Sequence, residues 1–169
     1  MKDNIVLIGF MGSGKSTVGK LLAKLLDYTF VDTDAFIEQQ EGMTINDIFA
    51  KHGEAHFRTL ETEVAKTLSG KKHLVIATGG GMVLNRFNAE TLRSSSLSVW
   101  LKITPETVLE RLKDDTSRPL LNRADKKEAV TNLLMQRDAV YSSSCDITLN
   151  ADDTPEKIAE TILSHYSKI

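Results

Sequence analysis

The run Gly9-Phe10-Met11-Gly12-Ser13-Gly14-Lys15-Ser16-Thr17 constrains this chain more than any other stretch. It satisfies G-x-x-x-x-G-K-[ST], and it lies between a short apolar run, Asn4–Ile8, and a segment with helical apolar spacing. Glycines let the backbone curl with its N–H groups turned inward, which makes an anion nest at the start of a helix. Lys15 adds a full positive charge for the β- and γ-phosphates, and the Ser16 hydroxyl can ligate Mg²⁺. A glycine-rich turn that binds nothing is the competing reading, and the strand-before, helix-after context disfavours it. Gly12, Ser13, Gly14, Lys15, Ser16 and Thr17 are therefore the expected contacts of a nucleoside triphosphate such as ATP.

A loop of this kind belongs to an α/β fold, and the rest of the chain alternates accordingly. Short runs rich in β-branched residues, expected as strands covered on both faces, fall at Asn4–Ile8, Thr29–Asp32, Leu74–Thr78, Ser98–Leu101 and Asp146–Leu149. Longer segments of helical period separate them, which predicts a parallel sheet. Val18, Leu21, Leu22, Leu25 and Leu26 form the apolar stripe of the first helix. Thr104-Pro105-Glu106 and Thr154-Pro155-Glu156 each supply an N-cap, a first-turn proline and an early acid. With 169 residues and no repeat or linker, the chain reads as one domain, residues 1–169. Two polar segments, Ala35–Gly53 and Asp114–Asp125, fit the alternation less well and are places to look for function.

Several function classes drop out. A net charge of −2 with dispersed Lys and Arg gives no basic face for nucleic acid. No apolar stretch approaches the roughly 20 residues of a membrane span. Ile5–Met11 after Lys2 resembles a weak signal peptide but lacks a small-residue cleavage site, so a cytoplasmic protein is expected. Cys145 is the only cysteine, which rules out an internal disulfide, and it reads as a small apolar residue entering a buried strand. His52 and His56 lie four apart, but Gly53 breaks the helix between them, so no metal site is expected there. Neither D-x-x-G nor N-K-x-D occurs, which excludes a switch GTPase.

The third strand ends in Thr78 and then Gly79-Gly80-Gly81, without the carboxylate that a motor ATPase places there. Asp32-Thr33-Asp34, at the end of strand two, supplies acids instead, and in a parallel sheet such ends face the ligand crevice. Asp32 can face Mg²⁺ while Asp34 faces the phosphoryl acceptor, although the same pattern also suits a turn with an N-cap. Two arginines point to an anionic acceptor. Arg58 borders the buried stripe Phe57, Leu60, Val64 and Leu68, with Glu61 three residues on. Arg137 falls within the stripe Val130, Leu133, Leu134 and Tyr141, where an unpaired charge is costly. A solvated surface pair for Arg58 and a structural ion pair for Arg137 are the plainer alternatives. Arg118, before Pro119 in the polar segment, suits a lid bringing positive charge to the phosphoryl group, or else a surface loop.

Taken together, these motifs resemble the shikimate kinase family. The similarity covers the phosphate loop with Gly12, Asp32-Thr33-Asp34, and Gly53-Glu54-Ala55-His56-Phe57-Arg58-Thr59-Leu60-Glu61. It extends through Gly79-Gly80-Gly81, Arg118-Pro119-Leu120-Leu121, and Arg137 followed by Tyr141, collinear from Asn4 to Leu149. The resemblance implies a three-layer P-loop kinase fold with a five-stranded parallel sheet, order 2-3-1-4-5. It implies transfer of the γ-phosphoryl of Mg²⁺·ATP to the 3-hydroxyl of shikimate, on the route to chorismate and aromatic amino acids, by a monomer. It assigns Arg58 and Arg137 to the shikimate carboxylate, Asp34 to the ring hydroxyls, and the Gly79–Gly81 backbone to the substrate. It also assigns Arg111 to the adenine, with backbone contacts from Asn150–Pro155, and it suggests a substrate-binding insertion at about 33–61 and a lid at about 114–125. A gluconate- or nucleotide-directed kinase shares the loop and size but is not expected to carry Arg58, the triple glycine and Arg137 together. Outside enzymes, a silent nucleotide-binding module is the alternative.

Overall fold

Apolar runs too short for helices pair here into one sheet, and their alternation with helices decides its direction. The computed structural model describes residues 2–169. Strands β1 (Asn4–Ile8), β2 (Thr29–Asp32), β3 (Leu74–Ala77), β4 (Ser96–Lys102) and β5 (Ile147–Asn150) are all parallel, in the order β2-β3-β1-β4-β5. Helices α1 (Lys15–Leu26), α2 (Thr33–Glu41), α3 (Ile45–His52), α4 (Glu54–Ser69) and α5 (Arg86–Ser95) are followed by α6 (Pro105–Arg111), α7 (Lys126–Ser144) and α8 (Pro155–Tyr166). Short 3₁₀ turns lie at Met82–Leu84 and Pro119–Asn122. The expected order holds. Among the described residues, no helix is long and apolar enough to cross a membrane.

The three inner strands carry the core, and every residue of β1 and β3 is buried. The edge strands differ from the expectation of cover on both faces: β2 and β5 are only half-buried. β4 begins two residues earlier than its apolar run, at Ser96, because the ladder with β1 extends there, with Ser96 opposite Asn4 and Leu97 opposite Ile5. Ser98 donates from its hydroxyl to the Ser144 carbonyl at 2.8 Å and from its N–H to Asp146 Oδ2 at 2.9 Å.

The helix ends follow their local chemistry. Thr104 and Thr154 accept from Thr107 N–H and Lys157 N–H, both at 3.3 Å, with the prolines in the first turn. Gly53, at φ +83°, separates α3 from α4 as the sequence predicts. On α1 the buried face is Val18, Gly19, Leu22 and Ala23, and Leu25 is 55% exposed, against expectation. A Cβ on Gly19 would lie 2.6 Å from the Phe30 ring, so the close approach there turns the buried face away from Leu25. Cys145 sits half-buried at the end of α7, its Sγ 3.4 Å from the Ser142 carbonyl, rather than inside a strand.

Candidate active site

The phosphate loop follows β1 and hands over to α1 at Gly14, whose carbonyl accepts the Val18 N–H at 2.9 Å. Lys15 Nζ is drawn back onto the loop, donating to the Gly9 carbonyl at 2.7 Å, the Phe10 carbonyl at 2.9 Å and Ser13 Oγ at 3.4 Å. Burial lowers its pKa to about 8; Asp34 and Asp32 oppose the shift, while Arg118 and Arg137 reinforce it. A cavity of about 250 Å³ opens beside it, lined among others by Gly12, Ser16, Asp34, Gly80 and Arg118. Lys15 and Arg118 place positive charge in this space where a phosphate group can meet it.

Asp32 divides its two oxygens between both roles that the sequence leaves open. Oδ1 caps α2, accepting from Asp34 N–H at 3.0 Å and Ala35 N–H at 3.1 Å, and Oδ2 accepts from Ser16 Oγ at 3.2 Å. The hydroxyl of Ser16 and the carboxylate of Asp32 are hard oxygen donors beside the phosphate loop, a donor set that fits Mg²⁺. The cap also orients its neighbour. Asp34, in the first turn of α2, turns into the cavity, where burial and then Asp32 raise its carboxyl pKa above the ordinary range.

The glycine run explains how the side chains predicted for the acceptor meet. A Cβ on Gly79 would lie 2.6 Å from Asp34 Oδ1, one on Gly80 3.4 Å from Arg137 Nη1, and one on Gly81 2.7 Å from Arg58 Nη1. Three successive residues after β3 thus abut three of the side chains predicted for the site, from α2, α7 and α4. Any side chain at 79 or 81 would fill the space its partner occupies. Arg58 is no plain surface pair: it donates to Glu61 at 2.5 Å, and Glu61 is only 1% exposed. Burial raises the Glu61 carboxyl pKa, and Arg58 partly offsets the rise. A second bond to Glu54 at 3.3 Å is exposed. Arg137 lies over the Phe10 ring, 5.6 Å from its centroid, and its buried Nε has no partner among the described residues. Its unpaired Nε, and an Nη1 beside Gly80 of the cavity wall, leave the guanidinium with donor capacity suited to an external anion.

Two further arginines border the nucleotide side. Arg111 donates to the Gly12 carbonyl at 2.9 Å and the Ala151 carbonyl at 2.6 Å, joining the phosphate loop to the β5–α8 connection. It lines a second cavity of about 320 Å³ with Gly14, Thr17, Asp153 and Pro155. Arg118 is exposed at the edge of the first cavity, its Nε 3.3 Å from Asp115 Oδ2. Sequence reasoning missed three supporting residues: Thr33 Oγ1 accepts the Gly79 N–H at 2.9 Å, Tyr141 Oη donates to the Gly80 carbonyl at 2.7 Å, and Asp115 holds Arg118. The only prior signals were Thr33's place between two acids and Tyr141's position one helical turn after Arg137.

Comparison with known proteins agrees with this geometry. The family model described as shikimate kinase matches residues 11–167. A shikimate kinase from Caldicellulosiruptor bescii is 47% identical over 167 residues, covering 98% of this chain and 96% of that protein. One from Thermodesulfovibrio yellowstonii is 44% identical with the same coverage of 98% and 96%. The solved shikimate kinase from Acinetobacter baumannii in complex with shikimate has a TM-score of 0.91 and 39% identity, covering 98% of this chain and 93% of that one. A family model spanning nearly the whole chain and relatives at this identity leave one assignment: the chain belongs to the shikimate kinase family.

Proposed function

We infer that this chain is an ATP-dependent kinase that phosphorylates shikimate, moving the γ-phosphoryl of ATP to the 3-hydroxyl to give shikimate 3-phosphate and ADP. The observation that carries this is the order in which Gly79, Gly80 and Gly81 abut Asp34, Arg137 and Arg58 beside the phosphate loop. Two guanidiniums and one carboxylate around a bare backbone match a ring that bears a carboxylate at one end and hydroxyls at the other. A gluconokinase from Sinorhizobium meliloti, at 19% identity and a TM-score of 0.58, shares the fold alone.

In this reading Gly12–Thr17 and Lys15 hold the triphosphate, with Lys15 exchanging the Gly9 and Phe10 carbonyls for phosphate oxygens. Arg111 borders the base. Ser16 and, through water, Asp32 would hold Mg²⁺, which when bound neutralises charge on the β- and γ-phosphates. Arg58, kept in place by buried Glu61, and Arg137, with its free Nε, bind the acceptor carboxylate. Asp34 orients the attacking hydroxyl and takes its proton late in the transfer. Its raised pKa favours that role, because a carboxylate of ordinary acidity is a weaker base. Arg118 leaves Asp115 to meet the developing charge on the transferring group, with residues 114–125 as the lid and 33–61 as the acceptor-binding region. Catalysis is then mainly positioning and electrostatics, as expected of phosphoryl transfer.

The test is a coupled ADP assay of the purified protein with Mg·ATP. ADP must form only when shikimate is added; ADP formation that ignores shikimate, or depends on gluconate or a nucleoside instead, rejects the reading.

A further inference from the structure

A run of three glycines has no side chains to hold it, and glycine peptides carry more backbone freedom than any others. Here two side chains from two elements bond to the run, and a third bonds just beyond it. Gly79 N–H donates to Thr33 Oγ1 at 2.9 Å, and Asn88 Nδ2 donates to the Met82 carbonyl, just beyond the run, at 3.1 Å. The bond inside the run is that of Tyr141, whose hydroxyl donates to the Gly80 carbonyl at 2.7 Å. A peptide unit is planar and trans, so fixing the Gly80 carbonyl also fixes the opposed N–H of Gly81.

Tyr141 is well placed to impose that choice. It is 1% exposed, and its ring lies 5.8 Å from the Trp100 ring, centroid to centroid. It follows Arg137 by one turn of α7, and the Cβ position of Gly80 is 3.4 Å from Arg137 Nη1 and 3.7 Å from Tyr141 Oη. Hydroxyl, peptide and guanidinium therefore meet at one point. Burial raises the phenol pKa, with Arg137 partly opposing, so the hydroxyl keeps its proton and remains a donor at neutral pH.

We propose that Tyr141 is a positioning residue for the acceptor: its hydroxyl sets the plane of the Gly80–Gly81 peptide and ties that plane to the helical turn bearing Arg137. The backbone that faces the acceptor and the guanidinium that binds its carboxylate then share one register. Tyr141 itself touches no substrate. The proposal rests on the phosphotransfer reading above and deepens its acceptor site. A ring that merely fills space between α7 and β4 would be served equally well by phenylalanine.

The experiment compares the parent protein with Tyr141→Phe. Shikimate-dependent ADP formation by the parent, measured first, decides the functional reading by itself; the comparison decides the role of Tyr141. In the variant the KM for shikimate rises five- to tenfold, about 1.0–1.4 kcal/mol for one lost hydrogen bond. The kcat stays within about twofold and the affinity for Mg·ATP is unchanged, a split that a general structural defect does not produce. A shikimate KM within about twofold of the parent value, or equal losses for both substrates, overturns the proposal. Should the variant fail to fold, amide relaxation in the parent decides. Order parameters near about 0.85 at Gly80 and Gly81 are expected of a clamped loop, and values below about 0.6 overturn it.

Discussion

Gly79→Ala adds one methyl group and no new chemistry, which makes it a clean probe of Asp34. The Gly79 backbone lies outside the left-handed region, so alanine is accommodated without strain in φ. Its Cβ, however, would lie 2.6 Å from Asp34 Oδ1 and 3.1 Å from Oδ2, where ordinary contact begins at 3.4 Å. The carboxylate must therefore retreat by about 0.8 Å, since Thr33 Oγ1 holds the Gly79 N–H and the loop cannot back away. Misplacement by about 1 Å can lower turnover on the order of 10²-fold, about 2.7 kcal/mol in the barrier. Stability should barely move. The Asp34 carboxylate is destabilised by burial, so swinging outward relieves part of that penalty and offsets lost contacts. The expected result is a fall in kcat of roughly 30- to 100-fold, with the KM for ATP unchanged and the melting temperature within about 3 °C of the parent. Steady-state kinetics by ADP coupling and a thermal melt read both. A kcat within about threefold of the parent would refute the placement of Asp34 at the reacting hydroxyl. A drop in melting temperature beyond about 10 °C would refute the claim that the clash is confined to one side chain.

Three other perturbations separate the remaining roles. Asp34→Asn keeps the shape but removes the base, and turnover should fall by roughly 10²- to 10⁴-fold with substrate binding retained; near-normal turnover ends the assigned role. Arg58→Ala leaves buried Glu61 without its partner and the acceptor without one guanidinium, so shikimate affinity falls on the order of 10- to 100-fold while ATP affinity survives. Unchanged shikimate binding by calorimetric titration contradicts it. Because the depressed pKa of Lys15 is about 8, its charged form predominates below that pH and is lost above it. Bound phosphate favours the charged form, so Mg·ATP affinity should weaken about tenfold between pH 7 and pH 9, and a flat profile over that range argues against Lys15 as the phosphate ligand.

Much of the chain was legible from local chemistry. The phosphate loop, the threonine–proline helix starts and the break at Gly53 depend on residues within a few positions of one another, and each stands where its pattern requires. Side-chain burial was less legible. Arg58 and Glu61 at i and i+3 look the same in sequence whether solvated or buried, and only the packing of α4 puts Glu61 at 1% exposure. Leu25 erred in the other direction, because a stripe of leucines cannot reveal how closely Gly19 lets its helix approach Phe30.

Residue types and short spacings, in sum, determined that a triphosphate loop opens an α/β sheet, and that acids and arginines suited to an anionic hydroxyl compound exist somewhere in the chain. Tertiary structure decided that they meet. Pairing β2 beside β3, with Asp32 opposite Ala77, brings Asp34 against Gly79, and the later return of α7 brings Arg137 and Tyr141 to Gly80. Contacts between residues so far apart along the chain arise from strand order and helix packing, which minimise exposed apolar surface over the whole molecule, and no local spacing encodes them.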